Sequence, residues 1–305
     1  AGGAGSLVAG QAHGRLAVTA ALGEARVSDL APQVRFNPVR LSGVAKLADA
    51  HWTADLAVGT PAGVPVATAK LAHDVAAGTG GLTFDTGPLT FAEGRLQPVQ
   101  LSPLAKVLGP PVMGEARFTG RFDWTSGGVT SAGALTVSGL DFQSPAGKLT
   151  GLQGAVAFTS LAPLVAAPGQ MLRADRLDAF VPLTGITASF SLDGQSLTIG
   201  SGAAALEGGQ VRLETLRLPL APDAVMSGAV LFEGVQLHDI VEASPFGDRV
   251  DLDATVSGRV PFTSEAGKVR VADAELHAIR PGRLSIRREA LTGVAATGSL
   301  STSAG

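Results

Sequence analysis

Polar and apolar positions alternate along most of the chain. In VDLDATVSGRV (250–260), Val250, Leu252, Ala254, Val256, Gly258 and Val260 are apolar or small, while Asp251, Asp253, Thr255, Ser257 and Arg259 are polar. Successive side chains of a β-strand point to opposite faces, so this run predicts one strand with a dry face and a wet face. EARFTGRFDW (115–124) repeats the pattern, with Ala116, Phe118, Gly120, Phe122 and Trp124 on one side. RLAVTAAL (15–22), VRLSGVAKL (39–47), WTADLAVG (52–59), VPVATAKL (64–71), GALTVSGL (133–140) and GAVAFTS (154–160) follow the same rule. So do ITASFSLDGQSLTIG (186–200), GAVLFEGVQL (228–237), KVRVADAEL (268–276) and RLSI (283–286). Gly, Pro, Asp or Ser punctuates the runs, which predicts roughly fifteen strands at all-β spacing. Asp193-Gly194 between two runs predicts a tight hairpin. Glycines inside runs, such as Gly120 and Gly258, predict bends or close approaches.

Helix is rare. LSPLAKVLGPPV (101–112) offers Ser102 as a cap, Pro103 in the first turn and a stop at Gly109-Pro110. LHDIVEASPFGD (237–248) offers a second short turn that ends near Pro245. Each is too short to be stable without packing on a sheet. The two turns stand in similar surroundings: VQLSPLAKVLGPPVMGEARFTGRF (99–122) parallels VQLHDIVEASPFGDRVDLDATVSGRV (235–260). An ordered series of this length predicts an internal repeat. The expected organisation is an N-terminal part (1–95), a first unit (96–231) and a second unit (232–305) of one continuous architecture.

Composition narrows the partners. Of 305 residues, 45% are hydrophobic and only 16% charged, and the mean hydropathy is +0.29. A net charge of −3 argues against nucleic acid. The absence of Cys excludes disulfides, thiol catalysis and Cys-ligated zinc. No run is apolar and long enough for a membrane-spanning helix. The start AGGAGS and the tail GSLSTSAG suggest a piece of a longer protein.

Catalytic chemistry finds no support. His13, His51, His73, His238 and His277 have no metal-ligand spacing. Asp251 and Asp253 share a polar strand face, where solvation or ion pairing is the simple role. GTGG (78–81) lacks a dinucleotide-binding pattern, and GGLTFD (80–85) lacks the second Gly of a calcium repeat. No G-x-S-x-G elbow occurs. The expectation is a protein that is not an enzyme and holds no metal or cofactor.

What remains is the dry face. A second sheet would call for more aromatic filler than 12 Phe, 2 Trp and no Tyr supply. A membrane barrel would carry Tyr and Trp girdles. A lipid tail is the third possible cover, since Ala, Val, Leu and Phe suit a slot for mobile acyl chains. The side chains expected to line it are Phe118, Phe122, Trp124, Phe190, Leu192, Leu231, Leu252, Val256 and Val260.

The C-terminal part carries a resemblance. Gly208-Gly209, Pro219, Val235 to Ile240, Gly258 to Pro261, and Gly267 to Leu284 fall where the YdbH-like family of AsmA-type intermembrane phospholipid transport proteins has its pattern. The chain resembles that family over about residues 208–294, and upstream only in general style. The resemblance implies a long, strongly bent antiparallel sheet curled into a U-shaped apolar groove, a β-taco with a few short helices. It also implies phospholipid acyl chains as cargo, the inner and outer membranes of a Gram-negative envelope or their proteins at the groove ends, and a periplasmic location. An N-terminal helical tether would lie outside this sequence. The alternative is a structural or adhesive secreted β-solenoid or passenger domain. It would need a period near 20 residues and ladders of Asn, Ser or Thr.

Overall fold

The computed structural model describes residues 2–12, 15–31, 34–144, 146–179, 181–206, 208–219, 225–242, 250–265 and 268–286. Strand makes up 74% of it. Strands β1 (Gly2–Ala12), β2 (Arg15–Val27), β3 (Val39–Ala48), β4 (His51–Gly59), β5 (Pro65–Asp74), β6 (Thr79–Asp85) and β7 (Leu89–Phe91) come first. The longest strands follow: β8 (Gly109–Thr125), β9 (Gly128–Ser144), β10 (Gly147–Leu161) and β11 (Leu164–Asp178). Then come β12 (Pro182–Leu192), β13 (Ser196–Leu206), β14 (Gly209–Leu213), β15 (Leu216–Pro219) and β16 (Met226–Gln236). The last are β17 (Val250–Asp253), β18 (Thr255–Glu265), β19 (Lys268–Val271), β20 (Glu275–Ala278) and β21 (Arg283–Ile286).

Nineteen of these strands form one sheet. Its connectivity is a meander. From β1 to β6 each strand pairs with its sequence neighbour, and the same holds from β8 to β13. β6 and β7 share β8, β14 and β15 both bridge β13 to β16, and β19 and β20 share β18. β16 pairs with β18, which carries the sheet past β17. Every pair is antiparallel, whereas the solenoid alternative stacks parallel coils.

The Asp193 turn forms as expected. Asp193 Oδ1 accepts the backbone N–H of Gln195 (2.9 Å) and Ser196 (2.6 Å), and Gly194 takes φ +84°. Two expectations are corrected. Residues 250–260 are not one strand: the ladder breaks at Ala254, and β17 pairs with β21 in a separate two-stranded ribbon. Leu237 N–H donates to the Ala254 carbonyl (2.9 Å), so that carbonyl is spent outside the ladder. The helix expected over 101–112 is two pieces, α1 (Pro98–Leu101) and a 3-10 turn (Pro103–Val107). Ser102 does cap the second, accepting Leu104 N–H (3.2 Å), but Gly109-Pro110 already belongs to β8. α2 (His238–Glu242) matches the second helical turn, and its expected end near Pro245 lies outside the described residues. The two Val-Gln-Leu copies differ in conformation: Val99–Leu101 is helical, whereas Val235-Gln236 ends β16.

The buried core sits where the segment 96–108 covers one face of the sheet. Phe91, Val112, Val137, Leu140 and Phe142 form the cluster, and Leu96, Leu101 and Leu108 pack on it. Gln97 clips this cover to β8. Val112 N–H donates to Gln97 Oε1 (2.8 Å), and Gln97 Nε2 donates to the carbonyls of Val112 (3.1 Å) and Ala92 (2.8 Å). Val112 is 1% exposed, so water cannot replace those bonds. Gln97→Leu is therefore expected to cost about 1–3 kcal/mol per orphaned group, read as a lower urea midpoint.

Candidate functional site

Cross-strand register turns the local alternation into a continuous surface. One line of directly paired residues runs Gly5, Leu22, Gly43, Leu56, Ala69 and Phe84 from β1 to β6. It continues through Gly120, Gly133, Phe158, Ala166, Leu192, Leu197 and Leu218 to β15. No polar residue interrupts it. At ~4.8 Å per strand the line spans roughly 60 Å of sheet. A second line passes from Leu89 through Ala116, Val137, Gly154, Leu172 and Ala188, then Gly202 and Leu213, to Val230 and Val260. It is apolar throughout as well.

Glycines and alanines are interspersed with large residues along these lines, and two of the glycines make room for neighbouring side chains. A Cβ at Gly120 would lie 2.3 Å from Phe84 Cζ, and one at Gly133 would lie 3.0 Å from Leu161 Cδ2. Phe84, Phe118, Phe122 and Phe158 therefore gather in the middle of the face. Ring centroids lie 5.6 Å apart for Phe84–Phe118, 6.4 Å for Phe84–Phe122 and 5.9 Å for Phe118–Phe158. These side chains remain only half-buried.

The opposite face is charged. One of its lines reads Gln153, Arg173, Thr187, Ala203, Arg212, Leu231, Arg259 and Glu275. Arg259 Nη2 lies 2.7 Å from Glu214 Oε2, and Arg212 pairs with Glu233 at 3.2 Å. Arg117 donates to Asp85, with Nε 3.0 Å from Oδ1. That bond, reinforced by the Gly87 N–H, holds the Asp85 carboxyl down at about 2. A carboxyl depressed in the folded state stabilises above its unfolded pKa of about 3.9, and the effect fades as pH falls toward 2. The thermal midpoints of the wild type and Asp85→Asn should therefore differ at neutral pH and converge below pH 2.

The expected lining residues divide along these lines. Phe118, Phe122 and Trp124 in β8, Phe190 and Leu192 in β12, and Val256 and Val260 in β18 all lie on the apolar face. Two expected residues do not. Leu231 stands between Arg212 and Arg259 on the charged face, because the register turns its neighbours Val230 and Phe232 to the apolar side. Leu252 pairs with Leu284 in the separate ribbon.

One end of the apolar face has an aromatic rim that the local patterns did not connect. Leu47, Trp52, His73, Gly80, Trp124 and Val129 are paired across β3, β4, β5, β6, β8 and β9 at the strand ends. Both tryptophans of the chain stand there. The Trp124 ring lies over Gly80, where a Cβ would meet Cζ2 at 2.5 Å. Trp124 Nε1 is 3.1 Å from His73 Nδ1, which is also 2.9 Å from the Thr79 carbonyl. A concavity of about 490 Å³ lies at the same strand ends, and the wall residues His51, Thr53, Asp74 and Asp123 alternate with Trp52, His73 and Trp124 and so belong to the opposite, polar face. The signal available in the sequence was the phase of WTADLAVG, which puts Trp52 on the dry side, but joining it to Trp124 requires the register of four strands.

Among the described residues, no group of three or more His, Asp or Glu is placed to hold a metal ion, and no helix is long and apolar enough to cross a membrane. The arrangement is that of an all-β protein whose one large sheet, among the described residues, is continuously apolar along one face and charged on the other. A family model described as YdbH-like, intermembrane phospholipid transport protein YdbH, matches residues 3–298, and the chain belongs to that family. No curated protein and no solved structure matches it.

Proposed function

We propose that this chain carries phospholipid between the inner and outer membranes of a Gram-negative envelope without catalysing a reaction. Acyl chains lie on the apolar face and pass along it from strand to strand, with the sheet bent around them as a U-shaped groove. Membership of a family described by intermembrane phospholipid transport makes lipid transport the class of activity and the envelope its place. The observation that carries the mechanism is the uninterrupted apolar line from Gly5 to Leu218. Burying a methylene is worth about 0.8 kcal/mol, so a sixteen-carbon tail gains roughly 10–13 kcal/mol on such a surface. That gain would trap the lipid if it were confined to one spot. A line of similar apolar side chains gives similar stabilisation at each step, so the tail can slide.

The units 1–95, 96–231 and 232–305 are lengths of the same conduit. The ends of the conduit meet the two membranes or proteins in them, and a helical tether to the inner membrane lies outside this sequence. The test is native mass spectrometry of the purified chain together with lipid transfer between donor and acceptor vesicles. Co-purifying phospholipid and accelerated transfer support the reading. A folded sample that binds no lipid and leaves transfer at the uncatalysed rate overturns it.

A further inference from the structure

The strap of chain between Gln97 and β8 lies on the apolar face itself. Its Leu101 and Leu108 pack on the cluster of Phe91, Val112, Val137, Leu140 and Phe142, as do Leu89, Ala116 and Leu172. Leu89, Ala116, Val137 and Leu172 are also members of the second apolar line. Over β8 and β9 the first line therefore stays open, at Gly120 and Gly133, while the second is covered.

Little apolar packing holds the strap down. α1 and the 3-10 turn are four and five residues long, and neither contains a buried residue. Helical turns of that length are not stable alone. They meet at Ser102, whose φ of −143° and ψ of 131° are extended, so the strap is two pieces with a joint rather than a rod. The joint is tied by residues between β2 and β3. Asn37 N–H donates to the Leu101 carbonyl (2.9 Å), Asn37 Nδ2 to the Val99 carbonyl (2.8 Å) and Ser102 Oγ to the Arg35 carbonyl (2.5 Å). The anchor behind these bonds is firm. The Asp29 carboxylate, its side chain 2% exposed, accepts Arg35 N–H (2.8 Å), Nε (2.9 Å) and Nη2 (2.9 Å). A well-fixed loop thus grips a lightly packed strap through polar bonds at its joint. Leu104 and Val107 of the strap are exposed, so it can meet hydrocarbon away from the cluster as well.

We propose that residues 98–108 form a gate on the lipid path. Latched to Arg35 and Asn37, the strap narrows the apolar face over β8 and β9. Released, it swings off the second line and gives a diacyl phospholipid the full width. The inference rests on the lipid-carrying reading of the apolar face and adds to it a place where passage is controlled.

The chain has no Cys, so introduced thiols are unique. In Asn37→Cys/Ser102→Cys both latch side chains become thiols, which a short bis-maleimide joins and N-ethylmaleimide only caps. The capped form is unlatched and the joined form is locked shut. A gate that opens as a minor population is removed by the lock, so the joined form should move phosphatidylethanolamine between vesicles about tenfold more slowly than the capped form. Equal, accelerated transfer by both forms would overturn the gate and leave the path intact. Transfer at the uncatalysed rate by both would remove the path and the gate with it. A second variant reads opening without transfer and keeps the latch. Leu101→Cys retains the backbone carbonyl that Asn37 holds and places a thiol against the cluster. Its modification by a maleimide should speed up severalfold when phosphatidylethanolamine vesicles are added. A rate that the vesicles leave unchanged would make the strap a fixed wall and overturn the proposal.

Discussion

Phe122→Asp is expected to abolish phospholipid transfer and leave a folded protein. Phe122 pairs with Leu82 and Ser131 on the apolar face, and its ring reaches Phe84. A carboxylate there faces the hydrocarbon of any passing tail. Leaving a charge unpaired against hydrocarbon costs several kcal/mol, which is at least about a hundredfold in occupancy of that stretch. The side chain is only half-buried, so in the absence of lipid the carboxylate can reach water. Circular dichroism should therefore be unchanged while transfer falls to the uncatalysed rate. Thr136→Asp is the control. It lies opposite Arg117 on the charged face, where a new carboxylate gains a partner, and transfer should be unaffected. Val256→Asp should behave differently from both. Val256 is 5% exposed, and a buried charge with no partner costs about 3–5 kcal/mol, so β18 and its neighbours should lose structure along with transfer. If Phe122→Asp transfers lipid at the wild-type rate, the apolar face is not the path.

Gly258→Val is expected to be among the most damaging uncharged substitutions. Gly258 has φ +154°, and a Cβ there would lie 2.0 Å from the Glu275 carbonyl oxygen and 2.8 Å from Leu276 Cα. Both are backbone atoms of β20, so no rotamer change relieves the clash. β20 must part from β18, which removes the pairings of Val256, Ser257 and Arg259 as well. The loss should exceed about 3 kcal/mol by urea denaturation, since strained φ and a broken ladder add. Gly78→Ala separates the two causes. Gly78 has φ +65° with nothing near its Cβ position, so only the conformational cost of about 1–2 kcal/mol remains. Equal losses at both sites would show that contact with β20 is unimportant.

The faces of well-isolated strands were legible from local pattern alone. In EARFTGRFDW every second residue is charged or polar, so only one phase is possible, and Phe118, Phe122 and Trp124 fall on the correct side. Leu231 failed for the complementary reason. Val230, Leu231 and Phe232 are consecutive apolar residues, so the run fits either phase, and pairing with Arg212 and Arg259 makes the choice. The break at Ala254 was hidden because alternation survives on both sides of it; the interruption comes from a carbonyl taken by Leu237 N–H, a contact far from local. Gly120 marked a close approach as expected, but which ring occupies the space depends on β6 lying beside β8. The rim was the least legible part. Trp52, His73 and Trp124 are ordinary members of three separate runs, and they form a group only once β4, β5, β6 and β8 are in register.

The meander has a consequence for how the molecule comes apart and how it can change length. Because each strand of the sheet is held by strands close to it in sequence, contacts are short in chain distance and folding need not wait for the far end to appear. Damage stays local for the same reason, and the sheet behaves as a one-dimensional array of coupled hairpins rather than as one all-or-none unit. A pair of strands can be added or removed from such an array without re-pairing the rest. What changes is the number of rungs, so the distance the array reaches can be set by counting hairpins.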